Sequence, residues 1–122
     1  MQQLQFEEKW DKTISDQDRR KIEEVFEETK NHDDFEFEPV TLWQANNHKD
    51  ELLVTALLHN RSDKTVSFND VHITYKTLDA PIAERDFNIP RLQIPPTTSM
   101  PWTFIFPDSK VDDPTLGVLN IT

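Results

Sequence analysis

The chain has no cysteine, which excludes disulfides, thiolate metal sites and cysteine nucleophiles together. It has one glycine, Gly117, so a glycine-rich phosphate-cradling loop is excluded as well. Turns that need a positive φ must then fall mainly to Asn and Asp, the residues that tolerate the left-handed region best after glycine. Long apolar runs are also lacking. The longest, "LLVTALL" at 52–58, falls well short of the roughly 20 residues that span a bilayer as a helix. The start, "MQQLQFEEKWDK", has neither a basic n-region nor an apolar h-region, so no signal peptide is expected. As written the chain is expected to be cytoplasmic, with association to the cell envelope left open.

Positive charge is scarce: 13 basic residues stand against 23 acidic ones, a net charge of -10. That balance repels phosphate backbones and anionic lipid surfaces, so neither nucleic-acid binding nor membrane insertion is expected. The excess is uneven. Residues 1–38 carry 13 acids and 6 bases (-7), while residues 39–122 carry 10 and 7 (-3). A chain of 122 residues favours one compact domain with a single core. Within it, residues 1–34 form an acidic segment and residues 35–122 a β-rich part.

What is present divides by period. Ser15 followed by Asp16 and Asp18 reads as a helix N-cap with acids in the first turn. Ile22, Val25, Phe26 and Thr29 then follow the i, i+3, i+4, i+7 spacing, opposite Glu23, Glu24, Glu27 and Glu28. The pattern predicts a helix from about Asp16 to Lys30. Its apolar stripe is narrow, so to be stable the helix must dock on something, either a partner or, as a structural lid, its own sandwich. From Phe35 the period becomes two. "VHITYKT" at 71–77 alternates cleanly, and "ELLVTALLHN" at 51–60 is apolar on both faces, as in a central strand covered on both sides. Further strands are expected at 39–46, 64–68, 83–89, 100–106 and 116–121, separated by turn signals such as "NNHKD", "NRSDK", "ND", "LDAP" and "PPTTS". The reading is a mostly β, immunoglobulin- or fibronectin-like antiparallel β-sandwich of about seven strands with one N-terminal α-helix.

Motifs for chemistry are absent. His32, His48, His59 and His72 show no metal-ligand spacing and read as surface or strand-exposed side chains. Asp33, Asp34, Glu36 and Glu38 lack the glycine and ligand order of a calcium loop and read as a solvated acidic linker. "NRS" at 60–62 and "NIT" at 120–122 match the glycosylation pattern by chance. With no serine elbow and no metal motif, the chain is expected not to be an enzyme and to need no cofactor or metal. The aromatic run "IPPTTSMPWTFIFP" at 94–107 puts Met100, Trp102, Phe104 and Phe106 on one face of a strand, with Thr103 and Ile105 on the other. Trp102, Phe104 and Phe106 are therefore expected to supply core, with prolines marking the strand's ends.

"LLVTALLHNRSDKTVSFNDVHITYKT", "IAERDFNI" and "IPPTTSMPWTFIFP" together resemble the SLAP domain of Bacillus-type Firmicutes over about residues 38–122. The segment from Pro101-Trp102 to Pro107 is the most specific part. The resemblance implies a non-catalytic domain associated with accessory Sec export and surface-layer assembly, often duplicated. This chain has one copy, and Met100 occupies the position before Pro101-Trp102 where a basic residue is expected. The function expected is a protein-interaction module with an unidentified protein partner. Its surfaces would be an exposed sheet edge, which would also allow pairing with a second copy, and the helix stripe of Ile22, Val25 and Phe26. The alternatives are a small apolar-ligand carrier using space between the sheets near Trp43 and Trp102, and an enzyme of unrecognised type.

Overall fold

The structure, a computed structural model, describes every residue except 1, 33, 78–79, 108, 110 and 112–114. Asp33 of the acidic linker and part of the "LDAP" turn thus lie outside the described residues. The N-terminal third forms a strand of two residues, β1 (Gln3–Leu4), then helices α1 (Glu8–Thr13) and α2 (Asp16–Thr29). Six strands follow: β2 (Phe37–Asn46), β3 (Leu52–Asn60), β4 (Val66–Lys76), β5 (Pro81–Ile94), β6 (Thr98–Phe106) and β7 (Val118–Ile121). They pair as two sheets, in the order β1-β6-β3-β2 and β5-β4-β7. The mostly-β sandwich is as expected. Two features add to it: a second helix, and a parallel pairing of β1 with β6 in an otherwise antiparallel fold.

Between the sheets lies an aromatic core. Phe87 meets Phe104 and Phe106 edge to face, each at 5.4 Å between ring centroids, and Phe68 lies 5.9 Å from Phe104. Trp102, Phe104 and Phe106 all project into this layer and are buried. The outer face of the four-stranded sheet carries a second cluster, in which Ile22 and Phe26 of α2 pack on Leu42 and Leu57. A bulge in β2 prepares this surface. Thr41 pairs with Ala56 and Trp43 with Thr55, so the extra residue, Leu42, joins Trp43 on the helix side. β3 is consequently covered on both faces, and Leu52 through Asn60 are buried apart from the half-buried Leu53.

Ser15 caps α2 by accepting from the Asp18 N–H at 3.1 Å, with Asp16 and Asp18 in its first turn. The stripe of Ile22, Val25 and Phe26, expected to be offered to a partner, is instead occupied within the chain. Ile22 is fully buried, Phe26 nearly so, and Val25 half-buried against the same cluster. The narrowness of the stripe is the physical reason. A helix with three large apolar residues gains stability only by closing them against a sheet, and full burial of each is worth about 1.5–3 kcal/mol.

The strands expected at 64–68 and 71–77 are one strand, β4. Asn69 and Asp70 form a bulge opposite Asn88, with Asp70 at φ 54°, so the Asn-Asp pair kinks the strand without ending it. β5 runs on through Pro90 because it is a sheet edge, where a missing N–H costs no ladder bond. Positive φ falls on Asp50, Asp70 and Thr97. Gly117 is needed for a different reason. A Cβ there would sit 2.6 Å from the Lys76 carbonyl oxygen. The Gly117 N–H instead reaches the Tyr75 hydroxyl at 2.7 Å, which donates in turn to Gln44 Oε1.

Candidate functional site: the open edge of β6

The site begins at a turn. The buried Asn60 side chain donates from Nδ2 to the carbonyls of Lys64, Ile94 and Pro95, while its Oδ1 accepts from the Ser62 N–H and hydroxyl. One side chain thereby pins the exit of β5 to the end of β3. Pro95, Pro96 and the left-handed Thr97 (φ 52°) turn the chain from one sheet into the other and start β6.

β6 pairs with β3 along its whole length, Thr98 opposite Asn60 through Phe106 opposite Leu52. On its other side it pairs only with β1, Gln3 opposite Thr98 and Leu4 opposite Ser99. The Gln3 and Gln5 N–H groups donate to the carbonyls of Thr97 and Ser99 at 3.0 and 2.9 Å. The next rung of a parallel ladder would take the N–H of residue 101 to the Gln5 carbonyl, but residue 101 is proline. The chain's own edge strand therefore stops there and turns into α1. Beyond Ser99, odd-numbered backbone groups face outward: the Pro101 carbonyl, both polar groups of Thr103, and the Ile105 N–H. No described strand pairs with them. The Ile105 carbonyl is the exception, accepting from Arg85 Nη1 at 3.0 Å.

A cleft of about 380 Å³ follows this edge, walled by residues 85–89 and Arg91 of β5 and by Trp102, Thr103 and Ile105 of β6. Arg85 lies over the Phe87 ring and Arg91 over the Trp102 ring, each 5.2 Å from the centroid. Both arginines are exposed residues. Asp86 is engaged elsewhere, with His72 on the outer face of the other sheet. A second hollow, lined by Trp10, Ile14 and Trp43 among others, adjoins the first at Arg91 and Thr103.

The tryptophans do not share a space between the sheets. Trp102 points inward, while Trp43 lies on the outer face beside the helices. An intersheet ligand site built on that pair is thereby corrected.

Beneath α2 the histidine expectation also needs correction at one position. His48 and His32 are exposed and His72 is half-buried, but His59 is fully buried. Its ring stacks on Phe26, with Nδ1 2.6 Å from Ser99 Oγ and Nε2 2.7 Å from Thr29 Oγ1. Thr29 Oγ1 donates to the Val25 carbonyl, and Ser99 Oγ accepts from Gln2 Nε2. Only one proton arrangement satisfies every member: Gln2 donates to Ser99, Ser99 to Nδ1, Nε2–H to Thr29, and Thr29 to Val25. His59 is thus a neutral Nε2–H tautomer. Burial, helped by nearby Arg61, pushes its pKa down to about 4. Arg61 adds a clamp, donating to the carbonyls of Thr29 and Phe35 and to Glu38. Residues Gln2, Thr29, His59, Ser99 and Arg61 together fasten the N-terminal segment to the sandwich.

Among the described residues no group of three or more His, Cys, Asp or Glu could hold a metal ion, and no helix is long and apolar enough to cross a membrane. The sequence reading missed α1, β1, the buried His59 and the placement of Arg85 and Arg91 along one cleft. The one available signal was Pro101, a proline inside a strand pattern, which marks an edge.

The molecule is thus a two-sheet β-sandwich, closed on one outer face by its own N-terminal helices, with the β6 edge open beyond its short pairing with β1. The family model of the SLAP domain matches residues 4–119, and the chain belongs to that family. The match takes in both helices as well as the strands. No curated protein and no solved structure matches the chain.

Proposed function

We propose that the protein is a non-catalytic interaction module of accessory protein export or of cell-envelope and surface-layer assembly. In this reading it engages a protein partner by strand addition along the open β6 edge. The observation that carries it is the interrupted ladder. Pro101 ends the pairing with β1, and the unpaired groups of Pro101, Thr103 and Ile105 border an open cleft between β5 and β6. Membership of the SLAP domain family supports the export and envelope setting.

The test is a photo-crosslinking residue at Ile105, on the edge, with exposed Lys64 as control position, in cells that make the protein. A discrete protein adduct at 105 and none at 64 is expected. Equal labelling at both positions, or none at either, would remove the reading.

A further inference from the structure

The edge that would receive a partner carries a charge opposite to that of the chain. The protein has a net charge of -10 and five arginines, and two of them, Arg85 and Arg91, stand along this cleft. Arg61 is held by three internal bonds, whereas Arg85 gives one, from Nη1 to the Ile105 carbonyl, and both Arg85 and Arg91 are exposed above Phe87 and Trp102. A guanidinium stacked on a ring has its plane fixed and its outward N–H groups ready for a carboxylate. Arg91 already attracts one: Glu7 Oε2 lies 3.8 Å from its Nε. On the β6 side the unpaired groups alternate acceptor, donor, acceptor, donor, from the Pro101 carbonyl to the Ile105 N–H, which is the edge of an unfilled ladder.

We propose that the β5–β6 cleft takes an extended acidic segment of the partner as an added strand on β6, its backbone on Pro101, Thr103 and Ile105 and its carboxylates on Arg85 and Arg91. The proposal rests on the strand-addition reading above and names the partner's chemistry. Arg91 sits at Trp102 and Arg85 at Ile105, three residues apart on β6, or about 10 Å. Alternate side chains of an added strand face β5, so its acids belong two or four positions apart. A second copy of this chain is a poorer occupant, because edge-to-edge pairing would bring two arginine pairs onto one seam.

The test uses the full chain and three synthetic peptides of about ten residues, long enough to cover the edge. All share a Thr/Val alternation, and they carry Asp, Asn or Lys at two alternate positions. Binding is read from the amide resonances of Thr103 and Ile105. The Asp peptide is expected to shift both, to bind about tenfold more tightly than the Asn peptide, and to weaken as salt rises. The double variant Arg85→Glu, Arg91→Glu, whose side chains are exposed, is expected to prefer the Lys peptide instead.

Equal binding of Asp and Asn peptides, shifts confined to α2, or no shift at all would overturn the proposal. So would a concentration-dependent shift of the same resonances in the free chain, which would make a second copy the occupant. Thr103→Pro removes one outward N–H without touching the ladder to β3, and should abolish the Asp-peptide response in a folded protein. Retention of the response would place the peptide elsewhere. Should Ile105 crosslink in cells while the Asp peptide shows no preference, the interaction module stands and the acidic partner does not.

Discussion

The four-stranded sheet meets its surroundings in two contrasting ways. Its outer face is covered by α2, with Ile22 and Phe26 closed against Leu42 and Leu57, and Gln2, Thr29, His59, Ser99 and Arg61 fastening the cover. Its β6 edge is left open after two rungs, because Pro101 cannot supply the third. The same N-terminal segment makes both surfaces. It supplies the lid that seals one and the short strand that stops before filling the other. Apolar residues at helical spacing are here structural, and the surface left for a partner is made of backbone groups and two arginines.

The largest effect should come from breaking the covered side. Phe26→Ala and Ile22→Ala remove buried side chains beneath α2, and each is expected to cost about 2–5 kcal/mol in urea denaturation. A loss below about 0.5 kcal/mol, ordinary for surface substitutions, would show that α2 does not close the sheet.

Legibility in the sequence followed the same division. The covered, regular parts were readable. β3 is apolar on both faces because both faces are covered, and β6 alternates because only one face meets the aromatic core. The elements missed are those whose residues make no period. α1 has a single large apolar residue, Trp10, in "EKWDKT", and β1 is two residues long. Asn69-Asp70 looks like a turn and is a bulge, since a residue that tolerates positive φ can kink a strand as well as end it. His59 ends an apolar strand, which reads as an exit to solvent. Its burial depends on Thr29 and Ser99, 30 and 40 residues away in the chain, and no local pattern records that. The site was half legible. An exposed edge was expected, but which edge depended on pairing, and Arg85 and Arg91 of β5 border that edge only because β5 lies beside β6 in the fold.

His59 should give the next largest effect, and on pH. Its folded pKa, about 4, lies below the 6.5 of a free histidine, so the unfolded chain takes up a proton first as pH falls. Stability is full above pH 6.5, declines between 6.5 and 4, and levels off below, with a total loss of at most about 3 kcal/mol from this residue. His59→Leu should lose this pH-dependent step. It should also cost about 1–3 kcal/mol at neutral pH, because Thr29 and Ser99 lose a buried partner. A pH profile unchanged by the substitution would show that the ring is not the titrating group.

Breaking the open side should barely affect stability. In Thr103→Pro the N–H removed faces outward, and Trp102, the residue before it, is already extended, as a residue preceding proline prefers. The hydroxyl contact between Thr103 and Thr55 at 2.7 Å is lost, for about 1 kcal/mol. If this variant unfolds as readily as Phe26→Ala, residue 103 lies in a filled ladder and the contrast between face and edge disappears.

The smallest effect belongs to His72, and its sign opposes that of His59. His72 is held by Asp86 at 2.6 Å and Glu84 at 3.1 Å on the outer face of the other sheet. The hydrogen bond to Asp86 first, and then that to Glu84, raise its pKa above the ordinary 6.5. A raised folded pKa makes the protonated ring favourable below 6.5, and that contribution disappears as pH rises through the folded value. In an NMR titration toward low pH His72 should therefore take up its proton earlier than a free histidine, and His59 should remain neutral until well below pH 6.5. His72→Gln should remove the first transition and leave the second in place. If the two rings titrate together, solvent reaches both. Neither the cover of α2 nor the tautomer deduced for His59 would then survive.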